Sequence, residues 1–341
     1  MKVIRAAIIG AGNIARTAHI PCYKAENDVE IVGISDINYE SAKKTAEEFK
    51  IPAVYSDAGE MLRSLKPDVV SICVPNKFHY PFTMTALEEG CNVFCEKPPA
   101  LTLEEAEAME RKAREKGKIL YYGFQNRFSS EYEKAAELKN QLGRITHSKA
   151  IWLRRRGIPG WGVFTNREIQ GGGPLIDIGV HMLDMTLALL DYPEISYVSA
   201  MMTDDIGKKG GEGDFGPWSG EKYTVEDSLF GFVVFKNGTS LEIETSFALN
   251  QKEKNERNII LYGSDASLSL FPLELYRNDS TESIVTEAKD ARASLMHNFI
   301  ASVRGVEEPR IVSSQGTYVQ ALVEALYASA ETLSPVRIRD K

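Results

Sequence analysis

The sequence predicts an α/β fold in two parts: a doubly wound parallel sheet, then an α+β domain built on a large, mostly antiparallel sheet. Over residues 1–123 short apolar runs alternate with amphipathic stretches, which is the rhythm of βαβ units. After Gly123 strand-like runs follow one another, and Asn237-Gly238 between two of them is a hairpin signal. The length, 341 residues, is that of about two domains.

In the first part, Val3–Ile9 reads as a strand and Ile14–Ala25 as a helix; Glu30–Ser35 and Tyr39–Phe49 repeat the pair. Val69–Val74 is a strand before the helix Tyr80–Glu89, and Asn92–Cys95 a strand before Leu103–Glu115, whose start is marked by a Thr102/Glu105 capping box. Ile119–Gly123 closes the series. Right-handed crossovers then make the domain doubly wound. In the second part the strands are Ile145–Leu153, Ile195–Met202, Ser228–Phe235, Ser240–Phe247, Asn258–Tyr262 and Ser267–Leu270. One helix, Pro174–Leu190, interrupts them, and Leu295–Arg304 and Val319–Ser329 are helical near the end. Gly207–Gly220 has no apolar period and reads as a surface loop or a flap. The expected domains are 1–123 and 124–341.

Hydrophobic residues are 43% and charged residues 26%, a globular mix that excludes long disorder. The net charge of −8 argues against a nucleic-acid partner and against docking on an anionic membrane. No apolar run approaches the roughly 18 residues of a membrane span. Ala6–Ala11 behind Lys2 and Arg5 is too short for a signal peptide, so the expected location is the cytoplasm. Cys22, Cys73, Cys91 and Cys95 all lie in the first third without a CxxC pair, which reads as reduced, buried thiols rather than disulfides or zinc.

Three motifs carry chemistry. Gly10-Ala11-Gly12-Asn13-Ile14-Ala15 ends the first strand and opens the first helix. Gly10 permits a tight turn, Gly12 lets a pyrophosphate approach the backbone, and the helix N-terminus attracts it. Asp36, at the end of the second strand, is placed to hold the adenosine ribose hydroxyls, although a turn or capping aspartate has the same look. A carboxylate there repels a 2′-phosphate, and Ile37-Asn38 offers no arginine for one, so NAD is expected over NADP. The second motif, Glu96-Lys97-Pro98, follows a strand, where ligands of open α/β sheets bind. Lys97 is suited to stabilising an alkoxide that develops as hydride leaves. The third is Gly171-Gly172-Gly173-Pro174-Leu175-Ile176-Asp177-Ile178-Gly179-Val180-His181-Met182-Leu183-Asp184. Its glycines allow close approach to a ligand, and Asp177 and His181, four apart, share a helix face. Imidazole is a natural proton acceptor that a neighbouring carboxylate orients. A metal held by Asp177, His181 and Asp184 is the less favoured reading, because no further His or Cys is near in sequence.

These motifs, in this order, resemble the glucose–fructose oxidoreductase/inositol dehydrogenase/rhizopine-catabolism (Gfo/Idh/MocA) family across nearly the whole chain. The resemblance implies a Rossmann domain and a C-terminal domain whose open-faced sheet forms a homodimer or homotetramer interface. It places Lys97, Asp177 and His181 at the reacting carbinol as catalytic residues. It assigns NAD to Gly10, Gly12, Asn13, Ile14 and Asp36, to the Pro-Asn-x-x-His turn at Val74, Pro75, Asn76 and His79, and to Glu96 and Lys97. It adds Asn126, Arg127, Arg155 and Trp161 to Lys97, Asp177 and His181 as substrate contacts. The expected activity is hydride transfer between NAD and a secondary alcohol of a sugar, glycoside or cyclitol. A glycosidase that retains NAD, or a non-enzymatic NAD or sugar sensor, are the alternatives.

Overall fold

The computed structural model describes residues 2–338, and the chain falls into two compact units: Met1–Phe128 with Asp290–Thr317, and Ser129–Lys289 with Tyr318–Lys341. The first unit holds a parallel six-stranded sheet of β1 (Ile4–Ile9), β2 (Val29–Ser35), β3 (Val54–Tyr55), β4 (Val69–Ile72), β5 (Asn92–Cys95) and β6 (Leu120–Tyr122), in the order β3-β2-β1-β4-β5-β6. The chain reverses direction across the sheet between β1 and β4, which leaves a crevice at their carboxyl ends. The crossovers are α1 (Ile20–Ala25), α2 (Tyr39–Phe49), α3 (Ala58–Leu65), α4 (His79–Glu88) and α5 (Leu103–Lys116). The starts of α2, α3 and α5 are set by side chains that take up unpaired backbone donors. Asn38 accepts from Ser41 N, Asp57 from Glu60 N and Thr102 from Glu105 N. The Glu105 carboxylate reaches back to Leu101 N, one residue before the expected partner.

The second unit opens with α6 (Ser130–Leu138) and then builds a nine-stranded mixed sheet. Its long strands are β7 (Ile145–Arg154), β8 (Ile195–Thr203), β11 (Ser228–Phe235), β12 (Ser240–Ser246) and β13 (Asn255–Gly263); α7 (Arg167–Gln170) and α8 (Val180–Leu189) lie between β7 and β8, and β9 (Gly211–Gly213) and β10 (Gly216–Trp218) form a separate small hairpin. Short strands β14 (Ser267–Leu270), β15 (Leu273–Tyr276) and β16 (Thr281–Ser283) extend one edge. All pairings are antiparallel except β7 with β12. The register puts Ala150, Ile243, Gly231 and Ile259 on one face, which α8 covers, and Lys149, Glu242, Phe232 and Ile260 on the other. That second face carries Met201, Phe232 and Tyr262 exposed, with His147 stacked between the rings of Phe232 and Tyr262.

The segment Asp290–Thr317 belongs to the first unit, whereas the sequence rhythm shows one change, near residue 124. It contains α9 (Ala291–Val303), whose Phe299 sits edge-on to Phe94 of β5 and tilted against Tyr121 of β6. Buried Asn298 accepts from Tyr121 Oη at 2.7 Å and from Arg310 N, and donates to Glu307 and Glu308 O. Then α10 (Ser313–Thr332) leads to β17 (Val336–Arg337) at the far edge of the large sheet. Among the described residues no helix is long and apolar enough to cross a membrane. The four cysteines are free and buried.

Candidate active site

The glycine turn lies at the carboxyl end of β1, at the crevice beside β4. Gly10 has φ 97°, and a Cβ there would fall 2.3 Å from Cys73 O at the end of β4, so only glycine lets these two strand ends close together. A Cβ on Gly12 would instead project into open space, the room a phosphate needs beside the helix start. The helix itself begins as a wide turn, Ala15–His19, before α1, because Pro21 has no N–H to give to the preceding turn. A cavity of about 550 Å³ runs along this edge, lined by Gly10, Gly12, Asp36, Ile37, Asp57 and Pro75 among others. Asp36 accepts from Ala11 N and Asn38 N, both at 2.8 Å, and so fastens the glycine turn as well as facing the cavity. Asn13 is exposed and Ile14 half-buried at the mouth of the turn. Open backbone at Gly12, a carboxylate at Asp36 and a long cavity fit a dinucleotide.

The Glu-Lys-Pro loop is built around a buried polar chain that the motif alone does not reveal. His19, from the wide turn, places Nε2 2.8 Å from Glu96 Oε1 and Nδ1 2.8 Å from Ser71 Oγ, which also meets Tyr23 Oη at 2.8 Å. The other Glu96 oxygen accepts from Lys97 N at 3.3 Å. Burial pushes the Glu96 carboxyl up, but the hydrogen bond and charge of His19, then Lys97 and His79, hold it below the ordinary glutamate range. A Cβ at Gly123 would lie 2.7 Å from Glu96 Oε2, so the glycine makes room for this carboxylate. Glu96, predicted to touch the dinucleotide, is therefore turned inward, while Lys97 stays partly exposed and is joined to Pro98 by a cis peptide. His79 is likewise fully buried. Its ring nitrogens lie 2.7 Å from Pro98 O and 3.0 Å from Val74 O, tying the Pro-Asn-x-x-His turn to the Lys97 loop, and burial holds it below the ordinary histidine value. Val74 is half-buried, Pro75 exposed and Asn76 buried. Arg127 is buried, and its guanidinium donates to Gln315 Oε1 at 2.8 Å and to Arg310 O, which ties it to the returning segment. Asn126 beside it is half-buried.

In the second unit the triple glycine has a packing reason that the sequence reading did not foresee. A Cβ on Gly172 would collide with Tyr327 Oη at 1.9 Å, and one on Gly173 with Glu226 O at 2.2 Å. The close approach is to the protein itself. Glu226, more than fifty residues away, accepts from Gly173 N (2.9 Å), Leu175 N (3.2 Å) and Tyr327 Oη (2.8 Å), and so caps the helix start from outside. Burial raises the Glu226 carboxyl above its ordinary value, and these bonds offset part of the rise. The helix then opens as another wide turn, Leu175–Gly179, carrying half-buried Asp177, and continues into α8 with buried His181. The His181 ring lies 6.4 Å from that of Trp152 on β7.

Of the arginine run, Arg154 lies on the same face of the sheet as α8. The period-two register of β7 puts Trp152 and Arg154 on the α8 side of the sheet. The Arg154 guanidinium lies over Trp152 (5.4 Å), Phe215 (5.0 Å) and Phe247 (5.7 Å), where burial lowers its pKa and the Asp177 charge opposes the fall. Arg155, one of the predicted substrate contacts, donates to Lys252 O, and Arg156 to Asn250 Oδ1. Trp161 is exposed. The Gly207–Gly220 stretch is a folded excursion: Trp218 is buried with Ile158, Ile178 and Phe247, its Nε1 donates to Gly207 O at 3.0 Å, and Asp227 accepts from Ile206 N and Gly207 N.

Known proteins share this plan from end to end. Residues 4–124 match a family profile described as an oxidoreductase family with an NAD-binding Rossmann fold, and residues 138–338 match its C-terminal alpha/beta domain. The chain belongs to the Gfo/Idh/MocA oxidoreductase family. It is thus an enzyme of the class that acts on CH–OH groups, with a Rossmann NAD-binding domain. Among relatives in the family, D-glucoside 3-dehydrogenase of Escherichia coli K12 is 44% identical over 342 residues, covering 98% of this chain and 97% of the relative. Myo-inositol 2-dehydrogenase of Thermotoga maritima is 23% identical, covering 99% of both. An oxidoreductase domain protein from Kribbella flavida shares the fold with TM-score 0.87 at 20% identity and full coverage of both chains. Levoglucosan dehydrogenase, solved with NADH and L-sorbose, gives 0.83 at 22% identity, covering 98% of this chain and 99% of that one.

Proposed function

We propose that the protein oxidises a secondary alcohol of a glucoside, at the 3-hydroxyl, with NAD. The observation that carries this reading is the 44% identity to a D-glucoside 3-dehydrogenase over 98% of the chain, with Lys97, Asp177 and His181 all present. A bound nicotinamide dinucleotide supplies the hydride acceptor. Gly10, Gly12, Asn13 and Ile14 hold its phosphates through backbone and helix N-terminus, and Asp36 takes the adenosine ribose hydroxyls. The residues lining the cavity include two carboxylates, Asp36 and Asp57, and among the described residues that line it no lysine or arginine. That lining favours NAD, since a 2′-phosphate needs a cation. In the chemical step His181 accepts the hydroxyl proton, Asp177 supports the resulting imidazolium, and Lys97 donates to the developing alkoxide. The exposed sheet face with Met201, Phe232 and Tyr262 supports a homo-oligomer formed through it.

The test is an assay at the NADH absorbance band with methyl β-D-glucopyranoside, myo-inositol and free glucose, each with NAD and NADP. Activity with NAD on the glucoside is expected. Lys97→Met and His181→Ala should each lose about 10²- to 10⁴-fold in kcat while NAD affinity holds. Near-native turnover of either variant removes that residue from the mechanism.

A further inference from the structure

Trp161 is 54% exposed, yet it is held in place rather than dangling. Its indole sits edge-to-face on Phe215 at 5.5 Å and on Phe164 at 6.2 Å. The loop bearing Trp161 and the β9–β10 hairpin bearing Phe215 are joined at backbone distance. Gly160 N donates to Phe215 O at 3.0 Å and Asp214 N to Arg156 O at 2.9 Å. A Cβ on Gly160 would lie 2.1 Å from Pro217 O, and one on Gly213 2.4 Å from Arg156 O, so both glycines are required for the two segments to meet. Behind them buried Trp218 roots the hairpin in the core with Ile158 and Ile178. A rigid aromatic surface left facing solvent, with its supports buried, is a prepared binding surface. It is continuous with the candidate chemistry: Phe215 is overlain by the Arg154 guanidinium, and Arg154 is coupled electrostatically to Asp177.

We propose that Trp161, Phe164 and Phe215 form a subsite for an aryl aglycone, next to the sugar held at Asp177 and Arg154. The inference rests on the glucoside reading and names the group that hangs from the sugar. The three rings offer faces and edges for stacking and, in the indole N–H, one polar group. Arg156, on the same loop, is already committed to Arg155 O, Leu249 O and Asn250 Oδ1. A second sugar ring needs several hydroxyl partners; an aromatic ring needs none.

The experiment compares kcat/KM for phenyl and methyl β-D-glucopyranoside and cellobiose in the parent enzyme, Trp161→Ala, Trp161→Phe and Phe215→Ala. Binding of the same three compounds is followed calorimetrically. The parent should prefer the phenyl glucoside, Trp161→Ala should lower the phenyl-to-methyl ratio of kcat/KM roughly 3- to 10-fold, and Trp161→Phe should restore much of the ratio. An unchanged phenyl-to-methyl ratio in Trp161→Ala, an equal loss on both, or a preference seen only for cellobiose overturns the subsite. Should the parent oxidise none of them, the glucoside activity falls. Phenyl-selective binding that disappears in Trp161→Ala still upholds the subsite in that case, and its absence overturns it.

Discussion

Replacing Glu226 by glutamine separates a capping role from a charge role at the start of the Asp177 helix. The carboxylate accepts three buried donors, two from the backbone at Gly173 and Leu175 and one from Tyr327. Glutamine keeps Oε1, which serves Leu175 and Tyr327, and sets an amide NH₂ against Gly173 N–H. Losing a bond to a charged acceptor is worth about 1.5–3 kcal/mol. Burial disfavours the carboxylate form, and removing that charge offsets part of the loss, leaving about 1–2 kcal/mol at pH 7. For a unit of this size each kcal/mol moves Tm by about 2–4 °C, so a drop of roughly 2–8 °C is expected. Glu226→Ala orphans all three donors and should lose about 3–5 kcal/mol. The pH dependence carries the sign. The folded carboxyl sits above its ordinary value near 4.5, so the native state binds the extra proton and its stability falls as pH rises from there through the raised value. Glutamine has no proton to take up. The gap between parent and Glu226→Gln should therefore widen on going from pH 8 to pH 5, read as Tm by calorimetry or as urea midpoint. A Gln variant that melts with the parent refutes the capping argument, and a gap that stays constant refutes the raised carboxyl.

Two further outcomes test the rest of the structure. Glu96→Gln should weaken the His19 pair and the support of Lys97 N; because the Glu96 carboxyl is held low, parent stability should fall on acidification below about pH 4.5, a fall the variant lacks in urea titrations across that range. Phe232→Lys, on the exposed sheet face, should shift the protein to a smaller species in size-exclusion chromatography with light scattering while its Tm changes by less than about 2 °C; an unchanged mass removes this face as the interface.

Much of the fold was legible because its signals are local. Asn92–Cys95, Ser228–Phe235, Ser267–Leu270 and Tyr39–Phe49 coincide with the predicted spans, since each is bounded by turn or capping residues within a few positions. Val54–Tyr55 is too short to show a period; α3 does carry an apolar stripe, Ala58, Met61, Leu62 and Leu65, but spans only eight residues, and α6 mixes small and charged residues into its apolar face. At the site, the motif positions stood out, but their partners did not. His19 reaches Glu96 across 77 residues, and Glu226 reaches Gly173 across 53. A lone histidine or glutamate carries no mark of such a partner. That Arg154 and not Arg155 shares the α8 face was within reach, because strand alternation from Ala150 through Trp152 points to it; the run of three arginines hid the parity.

The way Asp290–Thr317 rejoins the nucleotide-binding half limits how this protein can be cut. A fragment ending at residue 128 keeps every strand of the parallel sheet yet strips Phe299 from Phe94 and Tyr121, and leaves Tyr121 Oη and the Arg127 guanidinium without Asn298 and Gln315. The dinucleotide half is thus written in two instalments separated by every strand of the large sheet but β17. A ribosome completes it only after residues 129–289 have emerged.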